Sequence, residues 1–557
     1  MKTNINKIFS LLLFTAIIAG CTQDLDLVPP STISDGSFWK VSSDFEKAAN
    51  SFYFSLSSHG NGGLDQNSDI AVGAGPNDIS AGNLVVPQSS GTWNGNYSMI
   101  RATNRLLENY EKATDLQDEA ARYAGEARFF RARAYFSLVS TFGDVPLITR
   151  VLDLDSEELD SPRSPRADVV AVALGDLDWA VDNLPLESEL SANEKGRVTK
   201  GAALALKSRI ALFEGTWSKY HLGGLNANQY LTEAIDAAEQ LIASAEYDLY
   251  DGMGLQSYRN LFLEPGVNSS ESILGRRYNI NLNAFHNTTR WMLTAFNSPT
   301  KNLVDLYVCT DGLPIDKSTS FQGYDEMDSE FENRDPRLSQ TVFVPGTTFN
   351  NLGADEVIIP QIGGGNNGPT KSGYRTYKFV SDNITSQLGQ CFYDFLEYRY
   401  GEVLLNLAEA LYERDGSISD TDLNRTINKL RDRVGITHLT NNLVSDYGLD
   451  MLTEIRRERT VELAFEGFRL NDLRRWKEAE NALPIDLKGV KYVGSEFETT
   501  PPNDGLTPGV DIEVDADGFI VADPGQSRKF APRQYLFPLP LDQIQLNSNL
   551  EQNTGWK

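Results

Sequence analysis

The sequence is poor in the residue types that build disulfides and metal sites. Among 557 residues there are three cysteines and four histidines. Three cysteines give no disulfide framework, and Cys309 and Cys391 stand alone in apolar, aromatic surroundings that are typical of buried thiols. No two histidines have the i, i+4 spacing of helical zinc sites. We therefore expect neither a metal nor any other cofactor.

Familiar catalytic motifs are missing as well. There is no G-x-S-x-G, no H-E-x-x-H and no dinucleotide-binding fingerprint. In the stretch 363–372, GGGNNGPTKS, Pro369 and Thr370 stand where a phosphate-binding loop needs Gly-Lys-Ser/Thr, so the stretch predicts a surface loop. A partial calcium-loop pattern at 513–518 lacks the closing glutamate and is more typical of a hairpin with an Asp-Gly turn. These absences favour a protein that is not an enzyme.

Positive charge is also scarce. The chain has 50 Lys and Arg against 77 Asp and Glu, a formal net charge of −27. This balance argues against nucleic acid and against an anionic membrane surface as a partner. Hydrophobic residues make up 40% of the chain, enough for a large core. The composition fits a folded body that binds a neutral or small ligand.

An apolar run stands at the N terminus. Residues 8–18 are apolar over a length that is too short to span a bilayer, and with the preceding lysines they are typical of a secretory signal covering residues 1–20. The small pair Ala19-Gly20 before Cys21 is similar to a bacterial lipobox, so we expect cleavage there and lipidation of Cys21. An ordinary signal peptide followed by a chance cysteine is the alternative.

Residues 21–34 are predicted to be a short tether between the lipid and the folded body. Removal of Lys2 and Lys7 with the signal leaves 48 basic against 77 acidic residues, a net charge of −29. Asp24 and Asp26 resemble the export signals of surface lipoproteins. No other segment approaches the roughly 20 apolar residues of a membrane-spanning helix. We expect a lipid-anchored protein of the outer membrane that faces the cell surface.

The stretch 125–148, GEARFFRARAYFSLVSTFGDVPLI, predicts a central helix that Gly143 and Pro146 end. Other segments repeat apolar residues every three to four positions and predict further helices. They are 44–56, 97–112, 170–184, 196–215, 231–245, 402–412, 423–434 and 452–465. The predicted fold is therefore predominantly α, in one globular unit over residues 35–557.

Two regions lack this periodicity. Residues 57–96 are rich in Gly, Asn, Ser and Asp, and loops of that length are often functional. Residues 251–395 predict an irregular, loop-rich subdomain with short extended runs, at 340–344 and 357–360, laid over the helices.

A charged block follows near the C terminus, at 456–476. The i, i+3 pairs Arg459–Glu462, Glu466–Arg469 and Asp472–Arg475 predict a network of salt bridges. Gly467 is expected to interrupt the helix.

Several blocks resemble the SusD/RagB family of outer-membrane nutrient-binding lipoproteins. The helix at 125–142 with its Gly-Asp-Val-Pro turn is similar to one family signature. E-R-x-x-E-L-x-x-E-G-x-R at 458–469, followed by D-L-x-R-W, is similar to another. The resemblance implies tetratricopeptide-like helix pairs that support a loop-rich binding region. It also implies a partner, a SusC-like TonB-dependent outer-membrane channel.

The loops hold the candidate ligand-binding residues. A sugar offers apolar ring faces and many hydroxyls, so its site needs flat aromatic rings flanked by amides and carboxylates. Segment 57–96 offers Asp69 and Trp93, and segment 276–297 offers Tyr278, Asn287 and Trp291. A core role stays open for both tryptophans, because Trp93 precedes a helix start and apolar residues follow Trp291.

We expect a binding protein that delivers a nutrient, an oligosaccharide or polysaccharide, to the channel. Two alternatives remain. Carboxylates in the loops could form the pair of a glycan hydrolase. The chain could also serve adhesion or assembly without a small ligand.

Overall fold

The computed structural model describes residues 38–59, 65–73, 75–294, 297–363 and 370–556. The predicted signal peptide, Cys21 and the tether lie outside the described residues. The described chain is predominantly helical with small two-stranded sheets, which confirms the predicted fold class. Among its helices, none has both the length and the apolar content needed to cross a bilayer.

Long helices build the N-terminal half. They are α1 (Ser42–Asn50), α2 (Gly91–Lys112), α3 (Gln117–Phe142), α4 (Arg166–Asn183), α5 (Lys200–His221) and α6 (Ala227–Ala243). The hydroxyl of Ser90 accepts the N–H of Trp93, so α2 begins at Gly91, before the predicted Tyr97. α3 ends where predicted, at Gly143, whose φ of 79° favours glycine.

Shorter elements dominate the C-terminal half. Its helices are α7 (Ser257–Asn260), α8 (Thr288–Leu293), α9 (Lys301–Leu306), α10 (Pro336–Thr341), α11 (Ile384–Gln387), α12 (Tyr400–Asp415), α13 (Asp420–Arg425), α14 (Ile427–Val434), α15 (Asn441–Asp446), α16 (Met451–Glu462), α17 (Arg469–Arg475), α18 (Ala479–Ala482) and α19 (Leu541–Leu546).

Four antiparallel strand pairs connect distant parts of the chain. The pairs are β1 (Ala71–Gly73) with β3 (Asn297–Pro299), β2 (Ser272–Arg276) with β6 (Phe395–Arg399), β4 (Thr348–Asn351) with β5 (Ala354–Val357), and β7 (Leu487–Lys491) with β8 (Phe519–Asp523). The β1–β3 pair brings the two loop segments that were predicted to bind ligand against each other.

The long helices form one layer in which each packs on the next. Short connections between α2 and α3 and between α5 and α6 reverse the chain, as in tetratricopeptide hairpins, and α12 continues the layer by packing on α6 and α16. α3 is at its centre, because Phe129 and Phe130 are fully buried and Ala120, Ala124 and Ala127 let neighbouring helices approach closely. A second apolar core lies beneath the loop-rich region.

A closed network of buried charges joins the two cores. Five cations face five anions within salt-bridge distance: Arg337, Lys378, Arg399, Arg431 and Arg433 with Glu271, Asp335, Glu458, Glu462 and Glu466. Glu462 is central and fully buried. It accepts hydrogen bonds from Arg337 at 2.9 Å, Arg399 at 2.8 Å and Arg433 at 2.7 Å. These donors come from α10, β6 and α14, so one carboxylate of α16 holds three other elements.

Two local predictions have different outcomes. The extended run predicted at 340–344 is wrong over its first two residues, which end α10, because the Asp335 carboxylate caps that helix by accepting the N–H of Arg337. The predicted hairpin is confirmed, since Val514 and Ile520 pair across the Asp-Gly turn.

Candidate ligand-binding site

The two predicted loop segments meet at a pair of stacked histidines. The ring centroids of His59 and His286 lie 4.1 Å apart, and the two stacked planes are tilted by 27°. Tyr393 and Phe395 contact the His59 ring by their edges, at 5.1 and 5.2 Å. Tyr278, a predicted site residue, packs on His286 at 4.6 Å. Aromatic rings from three separate parts of the chain thus form the base of the candidate site.

Burial keeps both histidines neutral. Burial, with His286 nearby, holds the pKa of His59 well below its usual value, and burial lowers the pKa of His286 to about 4. In His286, Nε2 lies 3.0 Å from the carbonyl oxygen of Tyr393, so it donates, and Nδ1 accepts from the Thr288 hydroxyl at 2.8 Å. Fixed in this way, the ring braces the loop rather than exchanging protons at neutral pH.

The loop above this base is residues 277–287. Its neck closes where Asn279 and Ala284 exchange backbone hydrogen bonds of 2.8 and 3.1 Å. Its start is held by Asp394, whose carboxylate accepts the N–H of Tyr278 at 2.9 Å. Ile280 and Leu282 are exposed at the tip, and Phe285 keeps 38% of its surface exposed. The loop therefore presents apolar side chains together with three asparagines, at positions 279, 281 and 283.

A second wall stands beside the loop. Ile384 and Leu388 are exposed on and after α11, and Leu352 is exposed at the turn of the β4–β5 hairpin. Gln387 ties these two elements together, because its side chain accepts the N–H of Leu352 at 2.6 Å and donates to the carbonyl of Asn350 at 2.9 Å. The segment after α11 lies against the loop, because His286 and Cys391 exchange backbone hydrogen bonds. Exposed apolar side chains thus stand on two neighbouring elements.

Asn287 ends the loop and lies against Gly389, and its side chain has an unused hydrogen-bond acceptor. Its side-chain oxygen is buried and has no hydrogen-bond partner among the described residues. Gly389, with φ of 90°, approaches so closely that a Cβ there would come within 2.6 Å of this oxygen. A buried acceptor is costly to leave unsatisfied, so a ligand hydroxyl or a water would stabilise it.

The structure places the other three predicted residues in different surroundings. Trp291 is half-buried in α8 and packs on the second core. Trp93 is 3% exposed and packs on Tyr97 and Phe142 in the helical core, so the structure does not bring it to the loop. Asp69 is buried, and both its carboxylate oxygens accept from Arg469 at 2.8 Å. In this structure Trp93 and Asp69 therefore contact the scaffold and not the loop 277–287.

Two of the three predicted salt bridges in the C-terminal block are wrong. Asp472–Arg475 is present at 2.9 Å. Arg459 instead pairs with Asp472, and Glu466 pairs with Arg399. Glu466 and Arg469 are separated by a break in the helix, because α16 ends at Glu462 and α17 begins at Arg469. Arg459 and Glu462 share α16, but Glu462 is already held by three arginines from other elements.

The carboxylates next to this surface are engaged in hydrogen bonds to the protein. Asp394 contacts the histidine base, and burial raises its pKa, but its carboxylate is used to hold Tyr278. Glu264, near α11, accepts from the hydroxyls of Ser381 and Ser386. Within the described ranges no three His, Cys, Asp or Glu side chains are grouped to hold a metal.

The sequence prediction missed His59 and Phe285 as members of the site. A signal for Phe285 was available, since it stands in the run Asn-Ala-Phe-His-Asn, where an aromatic residue is flanked by polar ones. His59 carried no such signal, because its stacking on His286 joins residues that are remote in sequence.

Comparison with known proteins agrees with a tetratricopeptide-like helical scaffold that carries loops. A family model described as the SusD family matches residues 264–556, more than half of the chain. Another, described as starch-binding associating with outer membrane, matches residues 73–212. The chain belongs to the SusD/RagB family.

Relatives that match most of the chain support the same family. SusD-like protein P2 of Formosa agariphila is 25% identical and covers 98% of both chains. SusD-like protein P38 of the same organism is 24% identical over 87% of this chain and 93% of its own. A solved SusD-like protein of Bacteroides fragilis has a TM-score of 0.74 at 25% identity, covering 94% of this chain and 99% of its own. A SusD-like carbohydrate-binding protein of that species has a TM-score of 0.74 at 24% identity, covering 92% and 100%.

Proposed function

We propose that this chain is a lipid-anchored, surface-exposed protein of the outer membrane that binds a glycan and delivers it to a SusC-like TonB-dependent channel. The observation that carries the proposal is the loop 277–287, which presents Phe285 and exposed amides on a base of buried neutral rings. Family membership supports it, because one matching model is described as starch-binding and one similar structure as carbohydrate-binding.

The chemistry of the loop suits a neutral sugar. Phe285 is exposed and Tyr278 half-buried, so both can pack on the C–H groups of a pyranose, while the exposed amides at 279, 281 and 283 can bond its hydroxyls. Asn287, at the base of the loop, is the further predicted contact. The base is already packed and His286 is fixed by hydrogen bonds at both ring nitrogens, so little ordering is needed on binding. Asp69 and Trp291 remain predicted contacts that substitution can test, whereas the packing of Trp93 in the helical core predicts that its substitution leaves glycan affinity unchanged.

Binding without turnover separates this function from its alternatives. We expect wild-type protein to retain one class of polysaccharide in affinity electrophoresis while releasing no new reducing ends. Phe285→Ala and Asn287→Ala should each weaken retention by about tenfold, the effect of roughly 1.4 kcal/mol. Leu225→Ala is the matched control, since Leu225 is 67% exposed in the α5–α6 connection. New reducing ends would favour a hydrolase, and no retention of any glycan would favour adhesion or assembly.

The anchor and the channel have their own tests. Cys21→Ala should move the protein from the membrane to the soluble fraction, and unchanged partition would contradict lipidation. Purification of the wild-type protein in mild detergent should bring down a large outer-membrane β-barrel. Its absence from gently prepared complexes would contradict the channel partnership.

A further inference from the structure

A large groove lies in the helical layer, away from the loop 277–287. It is bounded by the start of α2, the segment 146–160 and α19, and its volume is about 930 Å³. Trp93, Tyr97 and Ile100 of α2 form its floor with Ile148 and Leu550. This floor is apolar and continues into the helical core.

Exposed leucines stand around the rim of this groove. Leu154 is fully exposed at the tip of its turn, Leu159 is also exposed, and Leu546 of α19 keeps 78% of its surface exposed. Single exposed leucines are common on proteins, but three around one apolar groove form a contiguous patch of the kind that marks an interaction site.

The same rim is strongly acidic. The segment 153–160 reads DLDSEELD. Glu158 pairs with Arg150, and Arg101 donates to the carbonyl of Leu152. The remaining acids of this segment form no ion pair with any described residue. They are Asp153, Asp155, Glu157 and Asp160.

The groove is held open by hydrogen bonds between its walls. The Asn547 side chain donates to the carbonyls of Leu159 and Ser161 at 3.1 and 2.8 Å. The Tyr97 hydroxyl donates to the carbonyl of Pro146 at 2.8 Å. A preformed groove costs little to order when a partner enters it.

We infer that this groove docks a segment of another protein in which apolar side chains are flanked by lysine or arginine. The exposed leucines and the half-buried Tyr97 and Ile148 of the floor would receive the apolar side chains, and the four unpaired acids would attract the basic ones. A glycan fits less well, because the Trp93 face is buried and the Tyr97 hydroxyl is already bonded. An anionic membrane would be repelled. The inference depends on neither the glycan nor the channel proposed above.

A synthetic peptide can test the groove directly. The probe is a labelled twelve-residue amphipathic peptide with leucines on one face and lysines on the other, titrated against the full-length protein by fluorescence anisotropy. We expect saturable binding that Leu154→Asp or Leu546→Asp weakens at least tenfold. Leu225→Asp, a matched change at an exposed leucine outside the groove, should leave the affinity unchanged. The melting temperature should stay unchanged in all three variants, because each leucine is exposed.

Charge provides a second, independent readout. Asp155→Asn with Glu157→Gln should weaken the peptide several-fold and flatten its salt dependence, whereas Asp115→Asn with Glu119→Gln, at exposed acids elsewhere, should not. A peptide with glutamate in place of lysine should not bind. The proposal is overturned if the glutamate peptide binds equally well, if a shuffled peptide without an apolar face does, or if the groove variants bind like wild type.

Discussion

The buried charge network gives the sharpest prediction for stability, through the substitution Glu462→Gln. Glu462 is fully buried and accepts from Arg337, Arg399 and Arg433. The change keeps the side-chain volume but leaves five cations facing four anions in a site that water does not reach. Leaving a buried charge without its partner costs about 3–5 kcal/mol. Because folded domains are stable by only about 5–15 kcal/mol, this is a large fraction of the total.

Urea unfolding, followed in parallel by tryptophan fluorescence and circular dichroism, measures this loss. Glu158→Gln is the matched control: Glu158 also makes a paired contact with one arginine, Arg150, but on the exposed surface, so its removal should leave stability near that of wild type. The double variant Glu462→Gln/Arg433→Gln restores the balance of charges. We expect it to lose less than the sum of the two single variants. A Glu462→Gln protein within about 1 kcal/mol of wild type would show that the Glu462 charge does not stabilise the buried arginines.

Three further predictions concern pH, packing and the ligand loop. Burial raises the pKa of Glu330 to about 7, from a value near 4.5 in the unfolded chain. The folded protein therefore holds this proton more tightly, and the stability that the protonated side chain contributes below pH 4.5 is lost as pH rises towards 7. Between pH 5 and 8, urea unfolding should show that wild type loses on the order of 3 kcal/mol relative to Glu330→Gln. Trp93→Ala should cost about 3–5 kcal/mol by leaving a cavity in the helical core, while glycan affinity measured on the folded protein stays unchanged. Gly389→Ala should cost roughly 1–3 kcal/mol, because φ is 90°, and should weaken glycan retention by displacing Asn287; unchanged retention would exclude Asn287 as a contact.

Local patterns in the sequence were enough to predict the helical layer. The apolar residues of α3 recur at helical spacing, and Gly143 follows where the helix must end, so both its existence and its end follow from neighbouring residues. The start of α2 depends on the Ser90 side chain, which caps the helix, so apolar periodicity alone predicted a start at Tyr97, too late in the chain. The helix α10 shows the same effect, since the Asp335 cap overrides an apparently extended run.

The candidate site could be predicted only as two segments of suitable composition. Tyr278 and Asn287 lie in the loop that the structure brings against His59, and local composition was a sufficient guide to them. The contact between Asp69 and Arg469 joins residues 400 positions apart, so no local pattern indicates that this carboxylate is held in an ion pair. For Trp93 the sequence left a ligand role and a core role equally open, and packing against Phe142 is a tertiary property.

Hydrogen–deuterium exchange in the presence of a retained polysaccharide shows which loops of the protein the glycan covers. We predict that saturating glycan slows exchange in residues 277–294 and 383–391 and leaves the groove at 146–160 unchanged, while no reducing ends are released. At a glycan concentration near the wild-type Kd, protection of these loops should be strongly reduced in Phe285→Ala and kept in Leu225→Ala. Protection confined to other parts of the chain, or release of reducing ends by the wild-type protein, would contradict the account.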